Sequence, residues 1–228
     1  MDNLIAEEHY KIVIKILSSL PKGARVLDVG CGPGILSEKL NKFGLNVSAC
    51  DIERKINKND KILFKYADLN KKIPYNNNFF EAVVCLEVIE HLHSPWLLVE
   101  EIYRVLKKDG IVILSSPNIS NCVARIYHLL TGKMWLFKTF TTDHINPMSY
   151  WEIERIFKES GFVKCHLIEG VNVVENVSIV TKLSNPASKA IYYLTFKSLD
   201  IIHDLVKKEN RKSKILFKSF SYITKAQK

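Results

Sequence analysis

Cysteine is scarce in this sequence, with five residues among 228 and no two spaced as Cys-x-x-Cys. The five are Cys31, Cys50, Cys85, Cys122 and Cys165. Structural zinc sites need closely spaced cysteine ligands, and small secreted domains pair their cysteines into a disulfide framework. Isolated cysteines in or beside apolar segments instead behave as small buried hydrophobes. The pattern therefore argues against both kinds of site and predicts a reducing, cytoplasmic environment.

Long apolar segments are missing as well. No run approaches the roughly eighteen uncharged apolar residues that a membrane-spanning helix needs. Acidic residues at positions 2, 7 and 8 precede the first apolar segment, unlike a secretory signal. Internal repeats and low-complexity tracts are also absent, and 47% hydrophobic with 25% charged residues is typical of a folded domain. We expect one domain over residues 1–228.

Strand and helix signals alternate through most of the chain. Short apolar or β-branched segments predict strands at 25–29, 47–51, 61–68, 79–86, 111–115, 162–168 and 216–225. Helical spacing predicts helices at 3–20, 35–43, 96–107, 119–130, 149–160 and 185–208. Strands that alternate with helices at this pitch imply right-handed crossovers, so the fold class is α/β with a doubly wound, largely parallel sheet.

One stretch organises the rest of the chain: Val26-Leu-Asp-Val-Gly-Cys-Gly-Pro-Gly34. Its apolar half predicts a buried strand, and glycines at 30, 32 and 34 predict a turn whose backbone approaches a ligand closely. A helix follows from Ile35, so its N-terminus would face that ligand. A dinucleotide site has the spacing Gly-x-Gly-x-x-Gly, whereas glycine here recurs at every second position. The spacing therefore favours a smaller adenosine ligand over NAD.

This stretch resembles motif I of the class I S-adenosylmethionine-dependent methyltransferases, and the whole chain resembles their ubiquinone O-methyltransferase-like group. The matches continue in the family's order through Asp51, Asp68-Leu69, the segment 81–92 and the segment 104–114. Lys108-Asp109 departs from the family's Pro-Gly in what would be a surface turn. The resemblance implies a seven-stranded, mostly parallel, Rossmann-like sheet with a helical insertion, residues 170–213, before an antiparallel last strand.

The resemblance also implies S-adenosylmethionine as the cofactor. Asp51 would hold both ribose hydroxyls, which suits a carboxylate because it accepts two hydrogen bonds, and Asp68 would accept the adenine amine. The cofactor-binding residues that the resemblance implies are Asp28, Gly30, Cys31, Gly32, Gly34, Asp51, Ile52, Asp68, Leu69 and Leu86.

Candidate catalytic residues follow the fourth strand as Glu87-x-x-Glu90-His91. On a helical turn these three would share one face, at the edge of the sheet where open α/β folds bind ligands. The set resembles the metal site of ubiquinone-type O-methyltransferases and of small-RNA 2′-O-methyltransferases, and His144 matches a later histidine of the RNA group. Glu87, Glu90, His91 and His144 are then candidate Mg²⁺ ligands.

Two other interpretations of the same residues remain open. His91 or His144 would be a metal-free base, with Glu90 beside it, or the segment is a helix start of a kind shared with methyltransferases that bind no metal. His93, two residues further on, is expected at the surface.

The sequence signals for acceptor binding are less specific than those for the cofactor. The aromatic segment 119–145 is expected to form an acceptor-binding cap. The formal net charge is +9, and most of the excess falls in residues 185–228; a basic segment attracts anionic partners, although lysine also serves solubility. The insertion 170–213 mixes lysines with apolar residues, which fits an interfacial helix on an anionic inner membrane face, a lid over the site, or a dimer contact.

These observations predict an enzyme that methylates an oxygen atom of a small or lipid-linked acceptor. Metal-dependent RNA 2′-O-methylation is one alternative, and it is disfavoured because the chain has no recognisable RNA-binding module. The other alternative is a non-enzymatic protein that binds the cofactor and regulates a partner.

Overall fold

The computed structural model describes residues 2–55, 62–134, 144–172 and 219–228. Seven strands are present in these ranges: β1 (Arg25–Val29), β2 (Asn46–Asp51), β3 (Leu63–Tyr66), β4 (Phe80–Leu86), β5 (Leu106–Pro117), β6 (Lys164–Asn172) and β7 (Ser219–Gln227). The helices are α1 (Asp2–Leu17), α2 (Ile35–Lys42), α3 (Pro95–Val105), α4 (Cys122–Thr131) and α5 (Tyr150–Glu159), and a 3₁₀ turn spans Ile89–His91.

The strands form one sheet in the order β3-β2-β1-β4-β5-β7-β6. The pairs among β1 to β5 are parallel, and β7 runs antiparallel between β5 and β6. The strand order reverses between β1 and β4, which makes their carboxyl ends the topological switch point of the sheet. The prediction of a seven-stranded, doubly wound sheet with an antiparallel last strand is confirmed.

Helices cover both faces of the sheet, because parallel strands are apolar on both sides. On one face α3 and α5 bury Leu98, Ile102 and Phe157 against strand residues such as Val83. On the other face α1 and α2 bury residues including Val13, Leu17, Leu36 and Leu40 against neighbouring strand positions. Each such side chain contributes roughly 1.5–3 kcal/mol of burial free energy, so both layers hold the sheet in the geometry that positions the site.

The start of β5 differs from the prediction. The strand was expected to begin at Ile111 after a turn at Asp109-Gly110, but it begins at Leu106, and its register with β4 shifts between Phe80 and Ala82. Asp109 has a φ of +63° and its N–H donates to the Lys228 carbonyl at 3.2 Å. Asp109 therefore adopts a left-handed conformation while its N–H is hydrogen-bonded to Lys228, the residue after β7.

Several predicted acceptor-side features lie outside the described residues. Of the segment 119–145, helix α4 is described, whereas residues 135–143 are not. Residues 170–172 belong to β6 and not to the insertion, and the predicted helix at 185–208 falls outside the described ranges. Within the described ranges, no helix has both the length and the apolar character needed to cross a bilayer.

Candidate active site

The glycine turn joins β1 to α2 at the switch point. Gly30, Gly32 and Gly34 all have positive φ, at +69°, +50° and +81°. A Cβ at Gly30 would stand 2.4 Å from Cγ2 of Val88, whereas a Cβ at Gly32 would have no described atom within 4 Å. Gly30 is therefore required for packing against the segment after β4, and Gly32 leaves open space beside the turn.

Asp28 lies under this turn and is 3% exposed. Its Oδ2 accepts a hydrogen bond from the Ser37 hydroxyl of α2 at 2.6 Å. Burial raises the pKa of Asp28 to about 6, the Ser37 bond opposes the rise, and the charge of Asp51 adds to it. Cys31, in the same turn, is also buried, and burial raises the pKa of its thiol, so it is no thiolate nucleophile.

Asp51 ends β2 and supports the turn from the neighbouring strand. Its Oδ2 accepts from the Gly32 N–H at 2.8 Å, and its Oδ1 accepts from the Glu53 N–H at 3.2 Å. The next residue, Ile52, is 69% exposed. The carboxylate is thus fixed by backbone donors beside the space at Gly32, and an apolar side chain stands next to it.

The loop after β3 brings Asp68 to the same edge of the sheet. Its Oδ1 accepts from the Asn70 N–H at 3.0 Å and its Oδ2 pairs with Lys71 at 3.2 Å, and these partners hold the pKa of Asp68 below its ordinary value. Leu69 is buried. Asn70 Oδ1 accepts from the His93 N–H at 2.7 Å, so this loop is tied directly to the segment after β4. His93 itself is exposed, as expected.

The segment after β4 begins with half-buried Leu86 and then Glu87, which has a φ of +53°. The Glu87 N–H donates to Oγ of Ser115 on β5 at 3.0 Å, and that hydroxyl donates to Glu87 Oε1 at 2.7 Å. His9 of α1 faces the same oxygen, and its Nδ1 is 4.0 Å from Glu87 Oε1. Glu87 is therefore oriented toward β5 and α1.

The expectation that Glu87 shares a helical face with Glu90 and His91 is wrong. The 3₁₀ turn begins at Ile89, so Glu87 precedes it and its left-handed backbone directs the chain away from helical geometry. Among the described residues, the group able to hold a metal ion is Glu90, His91 and His144, whose ligand atoms lie within 4.8 Å of one another. Three of the four candidate ligands come together, and Glu87 is not in that group.

Glu90 is the buried member of this cluster, with 0% exposure. Across the part of the chain that the structure describes, neither carboxylate oxygen has a hydrogen-bond partner. His91 Nε2 lies 3.9 Å from Glu90 Oε1, and the His91 and His144 rings meet edge to face with centroids 4.6 Å apart. Burial raises the pKa of Glu90 well above its usual range, and the charge of Glu87 raises it further.

A divalent cation fits this cluster. A buried carboxylate whose oxygens have no hydrogen-bond partner among the described residues is costly, and a cation or a proton removes that cost. Mg²⁺ prefers oxygen ligands, whereas imidazole nitrogen suits transition metals. Once Glu87 is removed from the set, one carboxylate stands with two imidazoles. The carboxylate suits Mg²⁺ or Mn²⁺, and the imidazoles suit transition metals such as Fe²⁺ and Zn²⁺.

Sequence reasoning missed three residues of this region: His9, Ser37 and Ser115. Burial lowers the pKa of His9, although Glu87 opposes this, so the imidazole is neutral near pH 7. A signal was present for His9 alone, because it occupies the apolar stripe of α1, four residues before Val13. Ser37 on α2 bonds to Asp28 and Ser115 on β5 bonds to Glu87. No sequence spacing indicates either pairing.

Comparisons with known proteins show the family to which the chain belongs. A sequence profile described as a methyltransferase domain matches residues 4–167, which is most of the chain. The chain therefore belongs to this methyltransferase domain family. The described sheet and glycine turn lie largely inside the matched range.

Curated relatives and solved structures are more distant. A ubiquinone biosynthesis O-methyltransferase of Psychrobacter arcticus is 24% identical over 159 residues, covering 64% of this chain and 62% of the relative. The protein of the same name from Xanthomonas oryzae pv. oryzae is 32% identical over 105 residues, covering 42% and 44%. The chain thus spans about half the length of these relatives. A SAM dependent methyltransferase from Archaeoglobus fulgidus has a TM-score of 0.62 at 22% identity over 97% of this chain and 94% of that one, which shows the shared fold.

Proposed function

We propose that this protein is an S-adenosylmethionine-dependent methyltransferase that transfers the methyl group to an oxygen atom of its acceptor. The family membership supports methyl transfer, and the relatives are named for O-methylation. The observation that carries the oxygen assignment is the cluster of buried Glu90 with His91 and His144. A hydroxyl acceptor must lose its proton during transfer, and this cluster offers groups that can bind or take that proton.

The cofactor residues are assigned by their position around the open space at Gly32. Asp51, held by the Gly32 and Glu53 N–H groups, is proposed to accept both ribose hydroxyls. Ile52, exposed beside it, provides an apolar surface for adenine, and Asp68 is proposed to accept the adenine amine. Asp28 is proposed to support this site indirectly, by holding the first turn of α2 through Ser37, because its carboxylate is buried.

The reaction needs little covalent chemistry from the protein. S-adenosylmethionine, when bound, supplies an activated methyl group, and an in-line displacement chiefly requires that the acceptor oxygen be held within reach and aligned. In the absence of a metal ion, partly exposed His91 or His144 beside it can accept the hydroxyl proton. With a metal ion bound, these nitrogens would be ligands instead, and the proton would pass to water. A divalent cation held by Glu90, His91 and His144 would lower the pKa of that hydroxyl.

The acceptor is proposed to be a small or lipid-linked molecule with a hydroxyl group. Two facts support this: the relatives are named for ubiquinone biosynthesis, and the net charge of +9 favours an anionic surface or substrate. Peripheral attachment at the cytoplasmic face of the membrane is part of the same proposal. The lysines at 207 and 208, in the basic segment, are the residues that we propose for this contact.

The cofactor is tested first by calorimetry. The wild-type protein should bind S-adenosylmethionine, and Asp51→Ala should weaken binding because the ribose hydroxyls lose both acceptor oxygens. Exposed Glu53 is two residues away, so Glu53→Gln is a matched control that should keep the affinity. Equal affinity in the wild type and Asp51→Ala would remove the ribose assignment.

The acceptor is tested by methyl transfer from labelled cofactor into the aqueous, lipid and RNA fractions of a cell extract. We expect label in the lipid or the small-molecule fraction. The label should be lost in Glu90→Gln and retained in Glu100→Gln, which changes an exposed carboxylate on α3. Label in RNA would replace the acceptor assignment with 2′-O-methylation of RNA, and cofactor binding without label in any fraction would favour the regulatory alternative.

Membrane contact is tested with liposomes of anionic and of neutral lipid. The wild type should sediment with anionic liposomes, and the double variant Lys207→Glu, Lys208→Glu should sediment less, because each lysine near the surface contributes about 1 kcal/mol. The double variant Lys11→Glu, Lys15→Glu on the exposed face of α1 changes the net charge by the same amount and is the control for charge alone. Equal loss in both proteins would show a general charge effect and no specific surface.

A further inference from the structure

The loop that carries His144 is tied to the turn that carries Glu90 and His91. The N–H groups of Ile145 and Asn146 both donate to the Glu90 carbonyl, each at 2.9 Å. The side-chain Nδ2 of Asn146 donates to the Leu92 carbonyl. One residue of the loop therefore contacts the turn on both sides of His91, through its backbone and its side chain.

The two kinds of contact differ in what they require of the sequence. Any residue other than proline can supply the backbone N–H groups at positions 145 and 146. The bond to Leu92 requires a side-chain donor of suitable length at position 146. Leu92 ends the 3₁₀ turn in an extended conformation, with φ −95° and ψ 143°, so its carbonyl is directed out of the turn, where Asn146 meets it.

This contact affects the geometry of the cluster because His144 is only two residues from Asn146. His144 reaches His91 from a segment far along the chain, and their ring centroids are 4.6 Å apart. Glu90 is wholly buried next to them. The imidazole of His144 therefore belongs to the set of ligand atoms within 4.8 Å of one another only through the placement of this loop.

We propose that Asn146 is a positioning residue of the site, which holds the His144 imidazole against His91 and Glu90 by donating its side-chain amide to the Leu92 carbonyl. The proposal rests on the proposed role of the Glu90, His91 and His144 cluster. Asn146 acts indirectly, through the loop that carries His144. In metal sites generally, residues that orient the ligands without binding the metal matter in this way, and their mutation lowers metal affinity about 10–100-fold.

Asn146→Asp is the informative variant, because aspartate keeps the shape of the side chain and replaces the donor by an acceptor that repels the Leu92 carbonyl. Asn146→Ala removes the side chain without adding charge and covers the case in which the aspartate disturbs folding. Asn41→Asp is the matched control, since Asn41 also donates its amide to a backbone carbonyl, that of Leu45, at the far end of α2.

Three measurements together separate positioning from general stability. The nuclear Overhauser effect between the ring protons of His91 and His144 reports their proximity without any metal. Electron paramagnetic resonance of Mn²⁺ reports binding at the cluster without turnover. Calorimetry with S-adenosylmethionine shows whether the rest of the site is intact.

We expect the ring contact in the wild type and in Asn41→Asp, and its loss in both Asn146 variants. Mn²⁺ affinity should fall about 10–100-fold in the Asn146 variants, while cofactor affinity stays within twofold of the wild type. An unchanged ring contact in both Asn146 variants would overturn the proposal, as would its absence in the wild type. If the wild type shows the ring contact but binds no Mn²⁺, the metal part of the proposed function fails, and the ring contact alone decides the role of Asn146.

Discussion

Gly30→Ala is expected to destabilise the protein more than Gly32→Ala, although both glycines have positive φ in one turn. The left-handed backbone costs an alanine about 1–2 kcal/mol at either position. At Gly30 the new Cβ would also stand 2.4 Å from Cγ2 of Val88. Val88 is buried and β-branched, so its side chain has few other rotamers. Overpacking of this kind costs a further 1–3 kcal/mol, roughly.

The assay is urea unfolding followed by circular dichroism, with both variants measured beside the wild type. Gly32→Ala should lose about 1–2 kcal/mol of unfolding free energy, and Gly30→Ala about 2–5 kcal/mol. For a domain of this size the difference between the variants corresponds to a gap in Tm of roughly 2–12 °C. Equal stability of the two variants would refute the packing argument, because it would mean that Val88 does not occupy the space beside Gly30.

The same pair separates stability from cofactor binding. The Gly32 N–H supports Asp51 at 2.8 Å, and the space beside Gly32 is the proposed cofactor site. Gly32→Ala should therefore weaken S-adenosylmethionine binding by at least tenfold despite its smaller effect on folding. A Gly32→Ala protein with wild-type affinity would place the cofactor elsewhere.

Three further predictions concern Asp28, Ser149 and the carboxylates after β4. Burial raises the pKa of Asp28 from an ordinary 3.8 to about 6, so its stabilising contribution is complete only well below pH 3.8 and is lost as the pH rises through 6. The unfolding free energy of the wild type relative to Asp28→Asn should therefore fall by about 3 kcal/mol between about pH 3 and pH 7, and a constant difference would contradict this. Ser149→Ala breaks the capping box at the start of α5 and should cost about 1 kcal/mol in urea unfolding, with no change if the cap is not formed. In Mn²⁺ titrations Glu90→Gln should lose binding while Glu87→Gln keeps it, and the reverse order would restore Glu87 as a ligand.

The fold was predictable because its signals are local and repeated. β1 is found at the predicted residues 25–29, since a short apolar segment followed by glycine leaves few alternatives. Where no glycine marks the end of a strand, the predicted boundary differs from the observed one. β6 was expected at 162–168 and lies at Lys164–Asn172. Its length depends on pairing with β7, a partner far along the chain, and no local pattern contains that information.

The cofactor side of the candidate site was predictable for the same reason. Asp51 ends β2 and Asp68 follows β3 by two residues, and the carboxyl ends of parallel strands meet at one edge of the sheet. Asp51 and Asp68 therefore come near the glycine turn by topology alone. Their hydrogen bonds to the Gly32 N–H and the Asn70 N–H add detail without changing the placement.

The acceptor side depends on single backbone angles and on distant partners, which is why the expectation failed at Glu87. Helical spacing puts positions i, i+3 and i+4 on one face only if the helix includes all of them. Glu87 has a φ of +53° and its N–H and carboxylate are both bonded to Ser115, 28 residues later. A glutamate in the left-handed conformation costs about 1–2 kcal/mol, and the bonds to Ser115 offset that cost. They also keep Glu87 outside the 3₁₀ turn at Ile89–His91. His144 joins Glu90 and His91 as predicted, from a loop that Asn146 ties to the same turn.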